Sequence, residues 1–316
     1  MKRMIAGLIC FGLSIGAGEN WAGQQEVVES IGNGEINWST AIIMAKGSGA
    51  PPKEAKNIAQ ARLMTERAAL ADARRNLLEV LKGVRVDSTT LVENSMAKRD
   101  EIQLKAEGFI QGSAEVRKLR RYLSDGAIEV AVAISLKGDL MDLLLNLPRE
   151  LPSAKPPAPE RPSPPLPPLT PEKRTDPFPP PTPGTKTEPA PAEQNPLPSL
   201  ADLPKFTGLV IDTRGLNMRA ALIPKILDEQ GQEIYQGQYV PRNSAAQNGL
   251  ALYSKDLTAA QTNPRVGKNP LTVKGFKVDP RSPSDVILGA EDVKRVAPYA
   301  QKGTFLEECK VMIVLD

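Results

Sequence analysis

A proline-rich segment in the middle of the chain most constrains how these 316 residues can fold. About two-thirds of the 30 prolines fall between Pro148 and Pro204, and both flanks have near-normal proline content. Because proline fixes φ at about −65° and lacks an amide donor, the segment favours extended, solvated polyproline II and cannot build a sheet. We therefore predict a disordered linker at residues 151–204 between two folded domains, at 24–150 and 205–316. We interpret the linker as a passive spacer; the alternative is that a partner domain recognises its Pro-x-x-Pro motifs.

Composition excludes several classes of function. The formal net charge is only +3 and the basic residues are scattered, so the one-sided basic stripe of a nucleic-acid-binding protein is missing. The sequence contains no histidine, which excludes a Ser-His-Asp triad and histidine-ligated metals. No G-x-S-x-G, P-loop or G-x-G-x-x-G motif occurs. We therefore predict no nucleic-acid partner, no enzymatic activity, no catalytic residues, no cofactor and no metal site.

The first 22 residues have the pattern of a secretory signal peptide. Two basic residues precede an apolar run from Met4 to about Ala17, and small residues lead to a predicted cleavage after Ala22. The run is shorter than the roughly 20 apolar residues of a membrane span. The alternatives are an uncleaved anchor and lipidation at Cys10, which would attach the chain to a membrane. The pattern predicts export from the cytoplasm.

Residues 53–83 show the strongest helical periodicity in the chain, with Gly83 as the predicted C-terminal stop. The predicted core-facing stripe consists of residues spaced three and four apart: Ile58, Ala61, Met64, Ala68, Ala71 and Leu78. Four arginines are interpreted as solvated flanking residues with no function of their own: Arg62, Arg67, Arg74 and Arg75.

The rest of this region predicts an antiparallel sheet that the long helix covers. The alternation in residues 36–42 predicts a strand, which we expect Gly47, Gly49 and the following prolines to end. Residues 93–107 are compatible with a helix or a loop. The remaining predicted elements are a strand at 84–92, a hairpin that ends in a strand at 127–136, and a helix that begins near Asp139.

The C-terminal region also predicts an α+β domain. A first strand ends at Asp212, and two further strands flank a turn at Gln230-Gly231. The other predicted elements are strands within 269–280 and 309–316 and helices at 255–262, capped by Asp256, and at 290–300. The predicted fold class is therefore α+β, with two small domains that each consist of an antiparallel or mixed sheet and packed helices.

Few residues are candidates for a functional site. Asp212 and Arg214 lie at a strand end and form either a binding pair or a pair that stabilises a turn. The stretch from Ser95 to Lys98 matches the Ser-x-x-Lys pattern of lysine-dependent serine hydrolases, but no companion motif follows. Cys309 is predicted to be a small buried residue, and the alternative is a reactive thiol.

Two motifs in the N-terminal half resemble a known envelope module. They are A-x-x-x-A-x-x-N-L-L from Ala69 to Leu78 and V-x-V-x-S-x-T from Val84 to Thr90, followed by a strand expected at Gly108 and by the hairpin. Residues 30–138 resemble the family of the twenty-kilodalton outer-membrane lipoprotein of Helicobacter and are similar to the N-terminal domain of the flagellar H-ring protein FlgT. The C-terminal half resembles only uncharacterised envelope proteins.

These resemblances imply a non-enzymatic module that resides in the envelope and associates with assemblies. We therefore expect a structural or assembly component in the periplasm or at the outer-membrane periphery of a Gram-negative bacterium. Its expected partners are envelope proteins or peptidoglycan. The alternative is a periplasmic binding or adaptor protein for peptidoglycan or another envelope ligand.

Overall fold

Two β-sheets with helices packed against them make up the described part of the chain in this computed structural model. The structure describes residues 26–145, 203–235 and 240–316. The predicted signal peptide and all but the last two residues of the predicted linker lie outside these ranges. The folded regions before and after the linker form one compact unit. The predicted α+β fold class is confirmed.

The first sheet is antiparallel throughout. Its strands are β1 (Val28–Ile31), β2 (Gly34–Asn37), β3 (Ile42–Gly49), β4 (Ala114–Glu115), β5 (Arg121–Tyr122) and β6 (Ile128–Ser135). The order is β1-β2-β3-β6, and both β4 and β5 pair with β6. The central pair, β3 and β6, is in register from Ile42 opposite Ser135 to Gly49 opposite Ile128. The predicted hairpin that ends in β6 is confirmed.

The long helix α1 (Ile58–Lys82) packs across β3 and β6. It begins five residues later than predicted because Asn57 caps it, with its side-chain oxygen accepting the Gln60 N–H at 2.8 Å. It ends before Gly83, as predicted. The other helices of this half are α2 (Val92–Met96), α3 (Asp100–Gln111) and α4 (Asp139–Leu145), with a 3-10 turn at Arg117–Leu119.

The prediction that Gly47 ends a strand is wrong, since it lies inside β3, whereas the strand does end at Gly49. A Cβ atom on Gly47 would clash with the backbone of Ala73 and would lie 2.7 Å from the Ala69 carbonyl oxygen. These glycines therefore let the backbone of α1 lie directly against the backbone of β3. The predicted strand at 36–42 is also wrong, because β2 ends at Asn37 and a turn follows before β3.

The predicted core stripe of α1 is wrong, because the side chains that are buried lie about one residue further round the helix than predicted. Ile58 is 88% exposed and Met64 is 45% exposed. The side chains that face the sheet are Thr65, Ala69, Ala73, Leu77, Val80 and Leu81. The close approach at Gly47 requires small residues at the contact, and Ala69 and Ala73 meet that requirement one and two positions after the predicted Ala68 and Ala71.

Two segments expected to be strands are not strands. Residues 84–92 form a tight loop with a single bridge between Arg85 and Leu91, because Asp87 accepts the N–H groups of Thr89 and Thr90 at 2.9 Å each. Gly108, where the family resemblance placed a strand, lies inside α3. The ambiguous polar stretch is therefore helical in α2 and α3.

The second sheet is mixed and has seven strands. They are β7 (Gly208–Asp212), β8 (Ile226–Leu227), β9 (Glu233–Tyr235), β10 (Leu252–Ser254), β11 (Pro270–Asp279), β12 (Ser282–Leu288) and β13 (Val311–Val314). Their order is β10-β13-β7-β11-β12-β8-β9, and β10, β13, β7 and β11 are parallel. The helices are α5 (Arg242–Asn248), α6 (Leu257–Thr262) and α7 (Ala290–Val296), with a 3-10 turn at Ala297–Tyr299.

The expected strands of this half are present as β7, β8, β9, β11 and β13. Asp256 caps α6 as predicted, since its carboxylate accepts the Ala259 N–H at 2.6 Å. Three elements, α5, β10 and β12, were not predicted from the sequence. The first two are short, and β12 carries Pro283 near its start, a residue that argues against a strand in the sequence alone.

The two halves share a backbone interface. The Leu222 N–H donates to the Arg85 carbonyl at 3.0 Å, and the Ile223 N–H donates to the Val86 carbonyl at 2.8 Å. Beside them, the buried Tyr253 hydroxyl donates to the Ala221 carbonyl at 2.7 Å and accepts the Ala221 N–H at 3.0 Å. Its ring packs edge-on against Trp38 of the first half, with the ring centroids 6.0 Å apart. The tight loop after α1 therefore extends into the second half.

We predict that Gly47→Ala destabilises the fold by about 1–3 kcal/mol or more, because the new methyl group meets helix backbone that cannot move aside. Urea unfolding of the purified protein measures this loss. The matched control is Gly108→Ala in α3, where an added Cβ meets nothing within 4 Å. That change is expected to stabilise by roughly 0.5–1 kcal/mol. Equal effects at the two positions would contradict the close approach.

We predict that Tyr253→Phe lowers the free energy of unfolding by about 1–3 kcal/mol, because both backbone groups of Ala221 lose a buried partner. Thermal and urea unfolding measure the change. Tyr122→Phe is the control, since Tyr122 is exposed and its loss of a hydroxyl is expected to cost below about 0.5 kcal/mol. A Tyr253 variant as stable as the control would show that these two hydrogen bonds contribute little.

Candidate binding surface

Asp212 and Arg214, the predicted binding candidates, lie together where β7 ends. The Arg214 side chain donates two hydrogen bonds to the Asp212 carboxylate, at 2.8 and 2.7 Å, and the Arg214 backbone N–H approaches the same group at 3.2 Å. These hydrogen bonds hold the pKa of Asp212 below its ordinary value. The geometry is that of a pair that stabilises a turn, and ligand binding by this pair stays a prediction.

The other two candidates are buried. Ser95 lies on α2 with 2% of its surface exposed, whereas a nucleophilic serine has to reach its substrate. Cys309 is fully buried, which confirms the prediction of a small buried residue, and burial raises the pKa of its thiol to about 11. A thiol with that pKa is protonated at neutral pH and is a poor nucleophile.

Large apolar side chains of α1 are exposed, and two of them, Ile58 and Met64, were predicted to lie in the core. Ile58 is almost fully exposed, and Leu63 is 57% exposed. On the neighbouring helix α3, Leu104 is 68% exposed. Exposed apolar side chains beside apolar grooves are typical of a surface that another molecule covers. We call the outward side of α1, with the two grooves that flank it, the α1 face.

The first groove lies beside the start of α1 and has a volume of about 390 Å³. Its apolar walls come from Pro51, Ile58 and Leu123, and its rim is formed by Arg62 and Tyr122. The Arg62 guanidinium lies 5.2 Å from the centroid of the Tyr122 ring, an arrangement that holds the two side chains together. The two side chains form a polar edge on an apolar groove.

The second groove, the α1–α3 groove, lies between these two helices and has a volume of about 410 Å³. Its apolar floor consists of Leu70, Leu78 and Ile110. Three arginines of α1 line it (Arg67, Arg74 and Arg75), and Glu107 and Gln111 of α3 lie opposite. The interpretation of these arginines as mere flanking residues therefore overlooks that they share one groove.

A third groove, of about 420 Å³, is polar. It lies along β3 from Lys46 to Ser48, the part of that strand with which β2 does not pair. Two side chains of α1 hydrogen-bond this edge: Asp72 accepts the Ser48 N–H at 3.0 Å, and Asn76 donates to the Lys46 carbonyl at 2.7 Å. Asp72 and Asn76 thus satisfy backbone groups of β3 that a further strand would need for pairing. We call this the β3-edge groove; Asn33, Glu35 and Glu129 also line it.

Comparison with known proteins adds one finding for the C-terminal half. Residues 208–316 match the family model of the second domain of Treponema pallidum Tp0624, so the second sheet and its helices are similar to that domain. No curated protein matches the chain. The match covers about a third of the chain and does not include the α1 face.

None of the helices in residues 26–145, 203–235 and 240–316 has the length and hydropathy of a membrane span. Within the same ranges, no three acidic or cysteine side chains group as metal ligands would.

The α1 face could have been found from the sequence by one signal. Apolar residues occupy two stripes of α1 rather than one, and a helix with a single core face carries only one. The first stripe, around Ala69 and Ala73, packs on the sheet, so the second, formed by Leu63, Leu70 and Leu78, has to face outward.

We predict that Asp212→Asn lowers the free energy of unfolding at pH 7 by less than about 1 kcal/mol, since Arg214 is 45% exposed and solvent screens the pair. The pKa of Asp212 is lowered by folding, so its contribution is present above the unfolded value of about 3.9 and is lost as pH falls through the folded value. Unfolding curves of both proteins should therefore converge in acid. A constant difference across pH would contradict the ion pair.

Proposed function

We propose that the protein is a non-enzymatic structural or assembly component of the cell envelope and that it holds a partner protein through the α1 face. The folded unit supplies a rigid platform, because its two halves share backbone hydrogen bonds at Val86 and Ile223.

The exposed apolar stripe of α1 is the observation that carries this proposal. Leu63 and Leu104 extend into solvent, and apolar grooves lie on both sides of α1. Each large apolar side chain that a partner covers contributes about 1.5–3 kcal/mol to association. A helix surface of this kind is a natural site for protein–protein contact, whereas it offers no polar constellation for catalysis.

The location of the protein is part of the proposal. Support for the periplasm or the outer-membrane periphery comes from the signal peptide pattern of the first 22 residues and from the resemblance of residues 30–138 to envelope modules. Partners would then be envelope proteins.

A second candidate function is an adaptor that binds peptidoglycan. The β3-edge groove favours it, because Asn33, Glu35 and Glu129 provide donors and acceptors that suit sugar hydroxyls and peptide amides. Sedimentation of the purified protein with purified peptidoglycan tests this candidate. Binding that Glu129→Gln and Asn33→Ala weaken would support it, and a protein that stays in solution would contradict it.

We predict that Leu63→Glu releases the protein from its assembly, because a carboxylate on the apolar stripe would have to be desolvated on binding. The measurement is velocity sedimentation of the protein from gently lysed cells of its native host. Wild type is expected in a large complex and the variant as a free chain.

Phe276→Glu provides the matched control, since Phe276 is also 57% exposed but lies on β11 of the second sheet. It should remain in the complex. Wild-type protein that sediments as a free chain, or a Leu63 variant that stays in the complex, would contradict the proposed function.

A further inference from the structure

The α1–α3 groove combines an apolar floor with unbalanced positive charge. Arg67, Arg74 and Arg75 face a single acidic residue of the lining, Glu107, whose carboxylate accepts a hydrogen bond from Gln103 at 2.9 Å. Arg75 is already paired with Asp72 of its own helix. The remaining two arginines therefore determine the electrostatic character of the groove.

Neither Arg67 nor Arg74 has a carboxylate partner within the described residues. Arg67 is exposed and makes no hydrogen bond or ion pair there. Arg74 makes one long contact, 3.5 Å to the Gln111 side-chain oxygen, and its Nε–H is buried without any acceptor in the described part of the chain. A buried donor without an acceptor is costly. The terminal N–H groups of the same guanidinium make only that one long contact, so they can pair with a carboxylate from a ligand.

The spacing of these arginines defines what fits between them. Residues 67 and 74 are seven apart on a helix, so their Cα atoms lie two turns, or about 10 Å, apart along α1. Leu70 lies between them and Leu78 one turn beyond, both on the groove floor. A second helix with carboxylates seven residues apart and leucine-like side chains on the same face matches this pattern.

We propose that the α1–α3 groove binds an acidic amphipathic helix of a partner protein, with its apolar side chains on Leu70, Leu78 and Ile110 and its carboxylates on Arg67 and Arg74. This inference rests on the proposed function, since it names the chemistry of the partner. A flat anionic membrane is a poorer match, because the floor is concave and an apolar ligand has to enter it.

The test uses a synthetic helical peptide as the probe. It carries leucines at helical spacing and glutamates seven residues apart, and fluorescence anisotropy measures its binding to the purified protein. Binding should weaken as salt rises, because the ion pairs are screened. A peptide with lysine in place of each glutamate is expected not to bind.

Protein variants locate the site. Arg74→Gln should weaken binding about tenfold or more, since a buried charged hydrogen bond is lost. Arg67→Gln should weaken it about threefold, because that arginine is exposed. The exposed position of Arg67 also means that its variant folds normally. Arg281→Gln, at a 90% exposed arginine of the second sheet, should bind the peptide like wild type.

Three outcomes would overturn the proposal: unchanged binding to both groove variants, equal binding of the lysine peptide, or binding of anionic phospholipid vesicles without binding of the acidic peptide. The result is separable from the proposed function. Groove-dependent peptide binding by a protein that sediments from cells as a free chain would sustain this inference and defeat the assembly role. An assembly that depends on Leu63, together with no binding of the peptide, would support the assembly role and overturn this inference.

Discussion

The backbone contact between α1 and β3 at Gly47 is the constraint on which the rest of the surface depends. No side chain fits between Gly47 and the backbone of Ala73, so the rotation of α1 about its axis is fixed. That rotation places Leu77 and Val80 in the core and turns Leu63 and Arg67 outward. The position of the α1 face therefore follows from one glycine and two alanines, and the choice of buried stripe decides which residues form the proposed binding face.

A second contact links this arrangement to the other half of the molecule. The tight loop that follows α1 presents the carbonyls of Arg85 and Val86 to Leu222 and Ile223, and Tyr253 closes the contact beside Trp38. The loop is held by Asp87, which accepts two backbone N–H groups and leaves those carbonyls free to act as acceptors. The domain similar to that of Tp0624 is thus connected to the helix that carries the proposed binding face, within one compact unit.

Periodicity predicted the elements of this fold better than it predicted their faces. The long helix, the hairpin before β6 and the strands β7 and β13 are confirmed because each has a long or strongly patterned apolar run. The core stripe of α1 was misplaced because alanines occur at both Ala68 and Ala69, and only the glycines of β3 decide between them. The α1–α3 groove was missed because it requires α3, which lies in a polar stretch with no clear pattern. The candidates Asp212 and Arg214 were found next to each other, as an ion pair.

The accessibility of position 63 tests the central claim most directly. In a Leu63→Cys protein, reaction with a membrane-permeable maleimide reports whether the second stripe of α1 is exposed. The native Cys309 interferes little because it is buried, and Cys10 lies in the predicted signal peptide, which cleavage would remove. The account predicts rapid labelling of the purified protein, as fast as in a Phe276→Cys protein, and strong protection at position 63 alone in intact cells. Protection in the purified protein would show that the stripe belongs to the core, and equal labelling of both positions in cells would show that no partner covers it.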